Sequence, residues 1–309
     1  MKNNKIEDFI ENYELDEKYQ NRIPNPHFFY SGDEILREAT SAILAGKNIL
    51  LVGDKSTGKN VLAENLAYLF KRPLWNLSFH INIDSSVLIG DDTLKNGNVI
   101  FREGPITKAA NCGGFVVLDE INMAKNEAMA VLHSILDYRR IIDIPGYDII
   151  KLHPATRFIA TMNYGYEGTR ELNEALLSRF VIIKMPLISR ERLVELIKKE
   201  YPKMKDEYVG NIAFFFYDLK LKADAGEISR NAPDLRGIFD AIDLVKEDLS
   251  LSSALELTIA NKLFDPYEEE ILKDLIKTRF EDNLFYRDIF TEWFDLLWQI
   301  KIQEKKKIE

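Results

Sequence analysis

Two kinds of hydrophobic pattern alternate along the first part of the chain. The runs Asn48-Ile-Leu-Leu-Val52, Phe115-Val-Val-Leu118, Phe158-Ile-Ala-Thr161 and Val181-Ile-Ile-Lys-Met185 are apolar at nearly every position. A strand with no polar face must be covered on both sides, the habit of a parallel sheet between helices. Arg72-Pro-Leu-Trp-Asn-Leu-Ser-Phe79 reads as another strand. Between the runs, apolar residues recur at helical spacing. This predicts helices over 33–45, from 61 onward, over 105–112, over 124–138 and over 171–177. Ser31 or Asp33 is expected to cap the first of them, and Gly46 to close it. Residues 1–30 are polar with scattered aromatics. At their end, Phe28, Phe29 and Tyr30 either cover a bound ligand or pin the arm to the core.

Two segments interrupt this alternation. Residues 81–104 are irregular, and Asn96-Gly97 within them is a hairpin-turn signature. Residues 140–152 read as two short strands about Pro145-Gly146. After Pro186 only helical periodicity remains, over 190–200, 208–221, 233–249, 251–264, 266–279 and 285–302. The expected fold is α/β: an N-terminal arm (1–30), a parallel sheet flanked by helices (31–186), and an all-α part divided into 187–265 and a C-terminal helical extension (266–309).

Composition narrows this picture only at a few points. Hydrophobic content of 46% and charged content of 29% suit a globular chain. A net charge of −9 weighs against a nucleic-acid binder with a broad basic surface, without removing that class. The single cysteine, Cys112, rules out an internal disulfide, fits a reducing cytoplasmic compartment and reads as a small buried hydrophobe. The opening residues lack the apolar core of a signal peptide. No uncharged apolar run approaches the about 18 residues a membrane helix needs.

The chemistry-bearing stretch is Gly53-Asp54-Lys55-Ser56-Thr57-Gly58-Lys59-Asn60, followed by Val61 and the helical pattern. Strand, glycine-bounded loop and helix is the setting of a phosphate-binding P-loop. Its backbone N–H groups turn inward around an anion, the helix start adds partial positive charge, and Lys59 reaches the terminal phosphates. Asn60 stands where Ser or Thr ordinarily offers a hydroxyl to Mg²⁺; its amide oxygen is also a hard ligand. The second strand with chemistry at its tip ends in Asp119-Glu120. Ligands bind at the carboxyl ends of such strands. Asp119 is expected to hold Mg²⁺, and Glu120 to orient and deprotonate a water.

Three segments carry a resemblance to the AAA+ ATPases, and within them to the MoxR-like group: the P-loop at 53–60; Leu118-Asp-Glu-Ile-Asn122-Met-Ala; and Ile159-Ala-Thr-Met-Asn163 with Glu167-Gly168-Thr169, Leu172, Glu174-Ala175 and Ser178-Arg179-Phe180. The resemblance spans residues 30 to 250, and it implies a P-loop NTPase sheet as the ATPase core (31–186) followed by an all-α lid (187–265). It implies that Asp119 and Glu120 are the Walker B acids and that Asn163 is the sensor 1 residue. It makes Arg179 the arginine finger completing a neighbour's site, with Arg170 as a second candidate, and Arg236 the sensor 2 arginine, with Arg230 as runner-up. It further implies ATP and Mg²⁺ as cofactors and a homo-oligomeric, hexameric ring. Residues 80–104 and 140–152 would be insertions facing its pore. The client would be a protein, such as one carrying a von Willebrand factor A domain or a metalloenzyme needing activation. A nucleic-acid-stimulated motor and an ATP-assembled scaffold are the alternatives. No membrane association is implied.

Overall fold

The protein is described here from a computed structural model covering residues 2–30, 32–124, 126–144, 146–163 and 172–291. It divides into two compact units, residues 1–187 and 188–309. The loop at 164–170, with Arg170 and the Glu167-Gly168-Thr169 motif, lies outside the described residues. So do Ser31 and most of the expected last helix.

In the first unit the elements run as follows. Helix α1 (Lys2–Asn12) and a 3₁₀ turn (Glu17–Arg22) form the arm. Then come α2 (Asp33–Leu44), β1 (Asn48–Val52), α3 (Lys59–Leu69), β2 (Leu74–Ser78), α4 (Ser85–Ile89), β3 (Gly90–Lys95) and β4 (Asn98–Glu103). These are followed by α5 (Pro105–Cys112), β5 (Phe115–Asp119), α6 (Asn126–Leu136), β6 (Ile141–Ile142), β7 (Ile150–Lys151), β8 (Arg157–Met162), α7 (Glu174–Leu177) and β9 (Phe180–Lys184). Strands β2, β5, β8, β1 and β9 pair in that order, all parallel.

Three of the apolar runs read from the sequence, now β1, β5 and β8, are split residue by residue between the two faces of this sheet; the fourth, edge strand β9, leaves Val181 and Ile182 exposed instead of covered on both sides. Leu50, Val52, Val116, Leu118, Phe158 and Ala160 face one core, with Ile106, Leu132 and Ile135 of α5 and α6. Ile49, Leu51, Phe115, Val117 and Ile159 face the other, with Ile43 of α2, Leu62 and Leu66 of α3, and Phe9 of α1. The most deeply buried guanidinium of this unit is spent on backbone. Arg72, 1% exposed, donates to the carbonyls of Tyr13, Cys112 and Gly113 and so ties the arm to the sheet.

Two local expectations are corrected. Asp33 does not serve as the cap of α2: Gly32 is its N-cap, with no side-chain cap bond, and Asp33 is already helical, where its charge favours the helix dipole. The segment before the Asn96-Gly97 turn also holds a short helix, α4, capped by Asp84 accepting from the Val87 N–H. The turn itself has Asn96 and Gly97 both at positive φ, 52° and 82°, as a two-residue hairpin between right-twisted strands requires. The 140–152 hairpin pairs over only two residues a side. It leans on the other hairpin: the Tyr147 hydroxyl donates to Asp92, and its ring lies 5.3 Å from that of Phe101.

The second unit is helical: α8 (Arg190–Glu200), α9 (Asp206–Asp224), α10 (Leu235–Lys246), α11 (Leu251–Thr258), a 3₁₀ turn (Ala260–Lys262), α12 (Pro266–Arg279) and α13 (Tyr286–Ile289). Gly237 lets α10 approach its neighbour closely; a Cβ there would lie 2.7 Å from the Thr258 carbonyl oxygen at the end of α11. Among the described residues no helix is long and apolar enough to cross a membrane.

The sheet's dependence on two-sided burial is testable. Leu51 is fully buried on a central strand, so Leu51→Ala should cost about 2–5 kcal/mol of stability, read as a lower urea midpoint with unchanged slope.

Candidate nucleotide site

The loop after β1 begins with Gly53, whose N–H donates to the Met162 carbonyl of β8. A Cβ on Gly53 would meet the Met185 carbonyl oxygen at 2.6 Å, so only glycine lets the loop leave the sheet here. Ser56 and Gly58 take positive φ, 63° and 81°, folding the loop back toward the start of α3. Asp54 and Ser56 are half-buried, Lys55 is exposed, and the loop encloses the buried Thr57, whose hydroxyl donates to the Asp54 carbonyl. Lys59, 9% exposed, places its ammonium on the loop's own oxygens: Gly53 O at 3.0 Å, Asp54 O at 2.7 Å and Thr57 Oγ1 at 3.4 Å. Burial pushes its pKa down to about 8, against the pull of Asp119, Asp54 and Glu120. An ammonium so stripped of water is poised to bind an anion. Asn60 and the half-buried Val61 stand with it in the first turn of α3, whose leading N–H groups have no intrahelical partner.

The tip of β5 comes to the same place, although β8 lies between β5 and β1. Asn60 Nδ2 donates to Asp119 Oδ2 at 3.1 Å. An amide facing a carboxylate must present its NH₂, so its oxygen points away. That oxygen is buried without a hydrogen-bond partner, as an acceptor aimed at a cation would be. No three His, Cys, Asp or Glu side chains converge to hold a metal among the described residues. A hard cation here would take Asn60, Asp119 and oxygens of a bound phosphate, the arrangement Mg²⁺ favours; the residues present fit it.

Glu120 takes a left-handed backbone (φ 53°), and its carboxylate accepts from Asn163 Nδ2 at 3.2 Å. The expected base and the expected sensor 1 residue are thus in direct contact. Asn122, 3% exposed, donates to the Asn163 carbonyl at 3.2 Å and holds that strand end. Arg179 is half-buried, and its guanidinium donates to the Ala175 carbonyl and to the His133 carbonyl in the last turn of α6. Arg236 and Arg230 lie in the second unit. Arg236 is exposed in the first turn of α10, beside Asp234, which caps that helix and accepts from Lys262 Nζ at 2.9 Å. Arg230 is exposed ahead of that helix.

Sequence reasoning passed over Asn65 and Thr161. Asn65, 3% exposed on α3, accepts from the Tyr30 N–H at 2.6 Å and donates to the Phe28 carbonyl at 2.9 Å. It clips the arm to the P-loop helix, with the Tyr30 ring beside Gly58. A lone amide on a helical face offers no pattern that would reveal such a role.

The chain matches the AAA domain family, dynein-related subfamily, over residues 48–180. It is 33% identical to uncharacterized protein YojN of Bacillus subtilis over 269 residues, 85% of this chain and 88% of that protein. It is also 33% identical to uncharacterized protein SH1500 of Staphylococcus haemolyticus over 259 residues, 82% of this chain and 98% of that one. The chain belongs to the AAA domain family. RuvB of Thermotoga maritima, as a point mutant, aligns with this AAA protein over 81% of the chain and 78% of its own, at 18% identity and a TM-score of 0.48.

The buried ammonium makes stability pH-dependent in a defined direction. Between pH 8 and the ordinary lysine value the unfolded AAA chain binds a proton that the folded one does not, so the penalty of burying Lys59 is relieved as pH rises. Relative to Lys59→Met, the wild type should gain stability from pH 8 to about 10.5, measured by denaturant unfolding across that range.

Proposed function

We propose that this AAA protein is a MoxR-like ATPase, which hydrolyses ATP at subunit interfaces of a hexameric ring and uses the energy to remodel or activate a client protein. The observation that carries the reading is the orphaned Asn60 amide oxygen beside Asp119, within one constellation that also holds Lys59, Glu120 and Asn163.

The loop amides and the start of α3 bind the phosphates, and Lys59 turns from its carbonyl ligands to the terminal phosphate oxygens. Asn60 and Asp119 would hold Mg²⁺, which when bound would supply charge neutralisation to those oxygens. Glu120 orients the attacking water and accepts its proton, and Asn163 holds Glu120 in register with that water. Arg179 from the neighbouring subunit stabilises the charge that spreads over the transferred phosphoryl group, after leaving its own carbonyl partners. Arg236 keeps the sensor 2 role that the resemblance gives it.

The client is read as a protein rather than a nucleic acid because two of the hairpin's three cations are committed internally, leaving Lys151 exposed. Arg139 pairs with Asp137 at 2.7 Å, and Arg140 donates to the carbonyls of His153 and Thr156. A protein carrying a von Willebrand factor A domain is the client class the resemblance favours. Absence of DNA- or RNA-stimulated ATPase is the corresponding expectation.

The shared site is tested by mixing subunits. Glu120→Gln should bind ATP and lose turnover by about 100- to 10,000-fold. Arg179→Ala should also bind ATP, and should lose about 1,000-fold or more. Mixed rings of the two should regain part of the steady-state rate, because one intact site forms where the two defects fall on opposite subunits. Folded, assembled mixtures with no regained rate would refute the trans role.

A further inference from the structure

We propose that Thr161 is the positioning residue of this site: one hydroxyl fixes both acids at the tip of β5 and thereby sets cation affinity and the aim of the base. This rests on the ATPase reading above and deepens it.

Thr161 is 1% exposed, opposite Leu51 of β1 and one step beyond the Leu118–Ala160 pair with β5. It therefore stands on β8 between the strand that feeds the P-loop and the strand that carries the acids. Its hydroxyl has one proton and two lone pairs. The proton goes to Asp119 Oδ1, and the oxygen accepts the Glu120 N–H at 3.0 Å.

Each bond has a separate consequence. With Oδ1 anchored, Asp119 presents Oδ2 to Asn60, whose own oxygen is left aimed away from the carboxylate. With its N–H anchored, and its carbonyl accepting from the Met123 N–H at 2.9 Å, Glu120 is held in the left-handed backbone (φ 53°) that delivers its carboxylate to Asn163. Non-glycine residues keep such a conformation only where their surroundings over-determine it. No other described side chain bonds to both Asp119 and the Glu120 backbone.

The test compares Thr161→Ser with Thr161→Ala. Both lose the methyl group, and only Ser keeps the hydroxyl. Three quantities are read in the full chain: affinity for a fluorescent ADP analogue in EDTA, Mn²⁺ affinity of the ADP complex by electron paramagnetic resonance, and kcat with KM for ATP. Expected is unchanged ADP affinity in EDTA for both variants, since Lys59 and the loop are untouched. Thr161→Ala should lose about 10- to 100-fold in Mn²⁺ affinity and in kcat, the usual cost of removing a partner that orients a metal ligand. Thr161→Ser should stay near wild type. Equal losses in Ser and Ala, or an Ala variant with wild-type Mn²⁺ affinity and kcat, would overturn the role of the hydroxyl while leaving the ATPase reading standing. A wild-type chain that binds no nucleotide would instead overturn that reading, and the role of Thr161 with it.

Discussion

The contact on which the site depends is the bond from Asn60 on the P-loop helix to Asp119 at the tip of β5. These residues follow strands that are not neighbours: β8 runs between β1 and β5. A strand spacing of about 4.8 Å places the two tips roughly 10 Å apart, too far for a short side chain to span directly from strand to strand. The loop and the first turn of α3 close the gap by folding over the end of β8. That fold requires Gly53 to leave the sheet without a side chain and Ser56 and Gly58 to take positive φ. Three left-handed backbone positions, Ser56, Gly58 and Glu120, thus stand where charge must be brought together, while the strands beneath are regular and apolar.

The same geometry explains why β8 supplies so much of the site. Being central, it is flanked by both functional strands, and its last residues fall between their tips. Thr161 engages Asp119 and Glu120, Met162 accepts from the Gly53 N–H, and Asn163 reaches the Glu120 carboxylate. A shift of one residue in the β5–β8 register would turn Thr161 away from the acids and Ala160 toward them. The two different cores oppose that shift, since each side chain fitted to one core would be turned into the other. Core packing and chemistry are therefore held by a single constraint, the register of three parallel strands.

How much of this was legible in the sequence follows from which interactions leave periodic traces. β1, β5 and β8 are legible because strands buried on both faces are apolar at successive positions. The P-loop and Asp119-Glu120 stand out in the sequence because a glycine-bounded turn between strand and helix precedes a second apolar strand tipped by acids. The Asn96-Gly97 turn is legible because its backbone demands those residues. By contrast, α1 and α4 escape a pattern reading: α4 is only five residues long, and α1 buries a single fully covered side chain, Phe9. Thr161 and Asn65 escape for another reason. Their partners are distant in sequence, and hydrogen bonds across strands have no period. Arg140 and Arg139 look like free cations in the sequence for the same reason, yet carbonyls and Asp137 already hold them.

The buried polar groups divide into two classes, and the division separates structure from chemistry. Arg72 and Arg157 bury their guanidinium groups on carbonyl oxygens with every recorded bond running to backbone; they fasten the arm, α2 and the strand starts. At the opposite, carboxyl end of the sheet, three buried amide oxygens, those of Asn60, Asn122 and Asn163, have no donor. Leaving a buried acceptor unpaired costs about 1–3 kcal/mol, and three in one place is a cost that packing alone would not sustain. A phosphate-bound cation and an ordered water would satisfy such acceptors together, so the unpaired oxygens mark the end of the sheet where binding energy is recovered.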